Sequence, residues 1–168
     1  MKRSIVILLL LISILSYSQN LQYADSMSRA KADIVLSHFD NNQGFKLLYS
    51  VEDKYFYVLI NECTFFEEYV IEMDSLGNII NMIEPNKLTR QDKKILKKTT
   101  PFDLTKYDTG YITESSNFID FTFGRLAYFV VKDNNGNRYG EFRSFMPAKI
   151  SPIDLNLWVY IIRKLYES

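Results

Sequence analysis

The residues able to do covalent chemistry are few: one Cys and one His in 168 residues. A nucleophilic thiolate needs a base within reach, and the pair on offer is Cys63 with His38. Cys63 sits in Asn61-Glu62-Cys63-Thr64, with no catalytic signature around it. Its default role is a buried structural thiol; as an odd cysteine in an exported chain it could also bridge two copies. His38 falls near the end of an expected helix, where an imidazolium is favoured by the helix dipole. Serine-hydrolase chemistry would need the same lone histidine as base, and the chain has no Gly-x-Ser-x-Gly elbow. One Cys and one His also exclude multi-cysteine and multi-histidine metal sites. No catalytic residue, metal ligand or cofactor is assigned.

Carboxylates are the remaining catalytic option. Glu68, Glu72 and Asp74 share one strand face by period two. Glycosidic cleavage needs two carboxyls across a cleft, one with a raised pKa. An antiparallel sheet commonly leaves one face wet, so the plainer expectation is a solvated acidic face. Asp133-Asn134-Asn135-Gly136 invites a calcium reading, but its Gly stands fourth rather than sixth and Ser144 occupies the twelfth position. A turn fits better.

Two groups of residues could instead bind. Lys87, Arg90, Lys93, Lys94, Lys97 and Lys98 place six cations within twelve residues. Four of them fall in the last turns of an expected helix, where cations offset the dipole. A formal net charge of zero argues against nucleic acid as partner, whereas an acidic protein would fit the run. The chain is also rich in aromatics, with 12 Tyr, 12 Phe and one Trp. Tyr is enriched at protein interfaces, and Tyr49, Tyr55, Tyr57, Tyr111, Tyr128 and Tyr139 are the candidate binding residues. A sheet with aromatics on both faces needs two covers, and one cover could be a partner protein.

The elements that must position these residues follow from periodicity. Residues 22–39 read as a helix with Tyr23, Met27, Ala30, Ile34 and His38 on one stripe. Phe45, Leu47, Tyr49 and Val51 alternate as a strand. Tyr55 to Ile60 is apolar throughout, as in a strand covered on both faces. Phe65 to Met73 and Ile79 to Glu84 flank an Asp-x-x-Gly-Asn turn. Residues 87–99 form a short helix with Leu88, Ile95 and Leu96 inward, and residues 101–117 are irregular. Phe118 to Phe123, Leu126 to Val131 and Arg138 to Met146 are strands. Ser151 caps a final helix over 152–167, with Pro152 at its first position and a wide apolar stripe through Ile153, Leu157, Trp158, Ile161 and Leu165. The expected fold is α+β: an antiparallel, curved sheet of about seven strands, with an N-terminal, a short middle and a C-terminal helix packed on it, the helices on one face.

Residues 1–18 have the form of a signal peptide. Lys2 and Arg3 precede an apolar run from Ile5 to Leu15, and Ser16-Tyr17-Ser18 offers a small-x-small cleavage site. The run is too short for a transmembrane span of about 20 residues. Cleavage leaves residues 19–168 as one α+β domain, two charges negative and with no transmembrane span; a domain of that size buries about 68–70% of its unfolded surface. The chain is then exported, to the periplasm or outside the cell.

Tyr69, Asp74, Gly77 and Asn78 recur at identical spacing as Tyr128, Asp133, Gly136 and Asn137. A tandem helix–meander repeat over 22–84 and 87–146 would explain this, as would ordinary hairpin chemistry arising twice. The doubled layout resembles that of secreted tandem lobes such as PepSY-type domains or the beta-lactamase inhibitory protein family. A cystatin-like or NTF2-like sheet with a packed helix is equally compatible. The resemblance is one of layout and brings no functional residues.

These readings point to an exported, non-catalytic protein-binding module, such as an inhibitor or immunity-type protein of the cell envelope. The alternatives are a small envelope hydrolase using the carboxylate face and an aromatic-lined binder of small ligands.

Overall fold

Tyr55 to Ile60 sets the architecture. A strand without a polar position must be covered twice, and in the computed structural model of the chain it lies between two hydrophobic layers. The structure describes residues 26–62, 65–83, 88–99, 112–113, 126–145 and 154–167. The expected leader at 1–18, Tyr23, Cys63, Tyr111, the expected strand Phe118–Phe123 and the expected cap Ser151 lie outside the described residues.

The elements in chain order are α1 (26–37), β1 (Phe45–Val51), β2 (Tyr55–Glu62), β3 (Phe65–Met73), β4 (Ile79–Ile83), α2 (Arg90–Thr99), β5 (Ile112–Thr113), β6 (Leu126–Lys132), β7 (Arg138–Phe145) and α3 (Leu155–Glu167). The sheet order is β4-β3-β2-β1-β6-β7-β5. Six strands pair antiparallel as an open sheet. The two-residue β5 adds to β7 in parallel. The class is α+β, as the sequence implies.

The helices do not share one face. Ala32, Val35, Leu36 and Phe39 of the α1 segment pack on Leu48, Phe56, Val58, Ile60, Ile71, Met73, Tyr128 and Val130. On the opposite face, Leu96 of α2 and Leu157, Tyr160, Ile161 and Leu165 of α3 pack on Leu47, Tyr49, Tyr57, Leu59, Phe66, Ala127, Phe129 and Val131. The sheet is therefore the middle layer of three, and both of its covers come from its own chain. β1 shares this double burial down to its polar positions: Ser50 is buried, and buried Lys46 donates to the Asn42 carbonyl at 3.2 Å.

The α1 stripe is corrected. Met27, Ala30, Ile34 and His38 are exposed, and the buried face runs through Ser28, Ala32, Val35, Leu36 and Phe39. Both sets have helical spacing; the sheet takes the one richer in branched and aromatic bulk, where burial releases more water. The cap of α3 is corrected too. Asp154 accepts from the amides of Asn156 at 2.8 Å and Leu157 at 3.4 Å, as a helix-capping carboxylate does.

The recurring turns match bond for bond. Asp74 accepts from the Asn78 amide and side chain at 2.8 and 2.9 Å, and Asp133 from those of Asn137 at 2.9 and 2.8 Å. Gly77 and Gly136 both take the left-handed conformation that glycine favours. The likeness is that of turns: the first half is a four-strand meander, whereas the described second half pairs a β6–β7 hairpin with a parallel β5. Each turn carboxylate is engaged within its own turn, and these bonds hold Asp74 below its usual pKa. For Asp133, burial pushes the pKa up, but the bonds from Asn137 outweigh it and leave it lowered.

Candidate functional site

The α2–α3 pair forms a groove with a charged rim. α2 begins with a reciprocal cap. Thr89 donates its amide and hydroxyl to Asp92 Oδ2 at 3.0 and 2.7 Å, and its hydroxyl accepts from the Asp92 amide at 3.1 Å. This starts the helix so that Leu96 points to the core while Arg90, Lys94 and Lys98, four residues apart, lie along one side. Asp92, near the start of α2, meets Arg163, near the end of α3, at 3.4 Å. This pair ties the first turn of α2 to the later part of α3.

Between them lies a groove of about 1010 Å³. Ile95, Leu155 and Val159 give it apolar surface above the buried Tyr160 ring, and Arg90, Lys94, Lys98 and Arg163 give it positive charge. Among the described residues that line it there is no carboxylate. Leu155 and Val159, one turn apart on α3, are 49% and 52% exposed.

Beneath the groove is a buried polar centre. Glu68 of β3 is 2% exposed. Its Oε2 accepts from the hydroxyls of Tyr57 at 2.9 Å and Tyr160 at 2.6 Å, and its Oε1 pairs with Lys164 at 2.8 Å. Burial and the adjacent carboxylate push both tyrosine pKa values far up, so both hydroxyls stay protonated and donate. Lys164 and Arg163 also approach the Tyr160 ring, at 5.2 and 5.4 Å from its centroid. Burial pushes Asp92 up, but the Thr89 bonds and the charges of Lys164 and Arg163 outweigh it and hold it below the usual carboxylate range. Tyr160 is therefore a groove residue fixed from below by a buried carboxylate.

This revises the acidic-face expectation. Glu68 does not lie on a wet sheet face, because α3 covers it. Glu72 pairs with Lys54 at 3.0 Å, and Asp74 is taken up by its turn. The three carboxylates thus stand in three different settings.

The candidate tyrosines divide. Tyr49 and Tyr57 are fully buried under α2 and α3, and Tyr128 under α1, so these three present no surface. Tyr49 accepts from the Trp158 indole at 3.2 Å, and burial pushes its pKa up to about 12. Tyr128 donates to Glu141, which also holds Arg29 through two bonds of 2.8 Å. Tyr55 and Tyr139 are half-buried, accepting from Lys54 at 2.8 Å and donating to Asp133 at 3.2 Å respectively. His38 is exposed, with Nδ1 2.9 Å from the Ile34 carbonyl oxygen.

Sequence reading missed the α3 wall. The α2 cations were visible as a run, but their four-residue register against Leu155, Val159 and Arg163 needed the pairing of two helices distant in sequence. A second polar cluster lies under the start of α1. Ser28 donates to Asp53 at 2.7 Å, and Asp33 pairs with Arg138 at 2.5 Å and Lys132 at 3.0 Å. Its cations and acids largely neutralise one another, as in a structural network. Among the described residues no helix is long and apolar enough to cross a membrane. Compared with known families, curated proteins and solved structures, the chain matches none.

Proposed function

We propose that the protein is an exported, non-catalytic binding module that acts on another protein through the α2–α3 groove. The observation that carries this reading is the groove itself: half-exposed aliphatic side chains framed by four cations, with no acid among the described residues that line it. Such a surface is solvated poorly at its floor and strongly at its rim, the pattern of an interface core and its surround. The burial of Tyr49, Tyr57 and Tyr128 moves the proposed contact surface away from the sheet. The leader-like residues 1–18 support an encounter in the periplasm or outside the cell. An inhibitor of an exported enzyme, or an immunity-type protein of the envelope, is the role that fits.

The test is capture. Purified protein is immobilised and challenged with an envelope and secreted-protein extract from its native source. A stoichiometric protein partner, retained by wild type and lost with Lys94→Glu/Lys98→Glu, is the expected result. Repeated recovery of no stoichiometric partner overturns the reading.

A further inference from the structure

We infer that the groove receives an α-helical, acidic, amphipathic segment of the partner. This rests on the binding reading above and adds the chemistry of the ligand. The lining residues of α2 fall at 90, 91, 94, 95, 98 and 99, and those of α3 at 155, 156, 159, 160 and 163. Both sets have the spacing of a single helix face. Two helix faces side by side leave a trough into which the ridges of a third helix fit, as in a bundle.

The charges set the sign and the register. Arg90, Lys94 and Lys98 stand in steps of four residues, about 6 Å apart along the axis. Among the described residues none of the three has a carboxylate partner. Arg163, on the other wall, already shares Asp92 at 3.4 Å and Glu167 at 3.8 Å. A helix with acids at i, i+4 and i+8 repeats the step of the α2 cations. Its apolar stripe then faces Ile95, Leu155 and Val159. The ten residues of α2 span about 15 Å, enough for about three turns of ligand.

An anionic membrane offers the same sign but a different shape. Membrane-binding faces push their apolar residues outward, whereas here the apolar side chains line a concavity flanked by the cations. A peptide helix fills that concavity, and a bilayer surface does not.

The experiment is a selection. A display library of helical peptides with randomised outward positions is panned against the purified full chain at low salt. Survivors are titrated against wild type, Lys94→Glu/Lys98→Glu and Lys93→Glu. Lys93 is exposed on α2 but does not line the groove. The expected survivors carry acids in four-residue steps. They lose at least about tenfold in affinity with the double reversal and less than about threefold with Lys93→Glu, and they weaken as salt rises. Circular dichroism and urea midpoints establish that the variants fold. Survivors without acidic spacing, equal losses with Lys93→Glu, or binding to vesicles of anionic phospholipid in place of peptides each overturn the inference. Failure here with successful capture of a partner removes the helical ligand and leaves the binding reading standing; absence of any captured partner removes the reading itself.

Discussion

Replacing Tyr160 by Phe tests how the groove floor is held. The substitution keeps the ring and deletes one hydroxyl, which donates to Glu68 Oε2 from 2.6 Å. A hydrogen bond to a charged group contributes about 1.5–3 kcal/mol net. Tyr57 still reaches the same oxygen from 2.9 Å, and Lys164 still holds Oε1 at 2.8 Å. The carboxylate is not orphaned, so the cost falls in the lower half of that range, about 1.5–2 kcal/mol. Tyr57→Phe follows the same reasoning and costs a similar amount. Together the two changes strip Oε2 of both donors in a side chain only 1% exposed, where water cannot substitute. The double variant then exceeds the sum of the singles by at least about 1 kcal/mol, the added cost of a buried unsatisfied oxygen. The assay is urea unfolding of wild type, both singles and the double, with a common slope confirming two-state behaviour. A Tyr160→Phe change below about 0.5 kcal/mol, or a double variant equal to the sum of the singles, refutes the shared-oxygen geometry.

Gly44→Ala is expected to be far more damaging than Gly136→Ala. At φ +91° an added Cβ would lie 2.1 Å from the Asn61 carbonyl oxygen, whereas at Gly136 it meets nothing within 4 Å. The former costs more than about 3 kcal/mol and the latter about 1 kcal/mol, measured by thermal or urea unfolding. Asp53→Asn is expected to stabilise the protein at pH 7. Burial raises the Asp53 pKa against the Ser28 bond and the Lys31 and Arg143 charges, so its charged form costs stability above the folded pKa. That cost disappears below the unfolded pKa, and the advantage of Asn should shrink as the unfolding assay is repeated toward pH 3. Thr89→Ala removes the hydroxyl side of the α2 cap and costs about 1 kcal/mol at pH 7. Asp92 has a lowered folded pKa, so its stabilisation is present above its unfolded pKa and is lost as pH falls through the folded one; the Thr89→Ala deficit narrows in the same acid window.

How much of this was legible in the sequence depended on whether one element or several decided the outcome. The unbroken apolar run Tyr55–Ile60 announced a strand buried on both sides, since six residues are too few for a buried helix, and the Asp-x-x-Gly-Asn turns announced hairpins because their bonds close within five residues. α1 was harder: Met27 and Ile34 make as regular a stripe as Ala32, Val35 and Phe39, and the difference in apolar bulk between the two decides only once there is a sheet to pack on. The acidic alternation of β3 looked like a wet face because nothing local reveals that α3, some ninety residues later, covers Glu68 with Tyr160 and Lys164. The groove was half legible for the same reason. Its α2 cations formed a visible run, and its α3 wall was hidden inside a stripe read as core.

The central claim is that the groove is where a partner protein sits, and photo-crosslinking from defined positions tests it most directly. A photoreactive residue is placed singly at Val159 or Ile95 in the groove, and at Ile80 on β4 or Met27 on α1, both exposed and outside its lining. Each protein is exposed in its native source and irradiated. The account predicts one and the same crosslinked protein from Val159 and Ile95 and none from Ile80 or Met27. Crosslinks that arise from Ile80 or Met27 while the groove positions stay silent would contradict it.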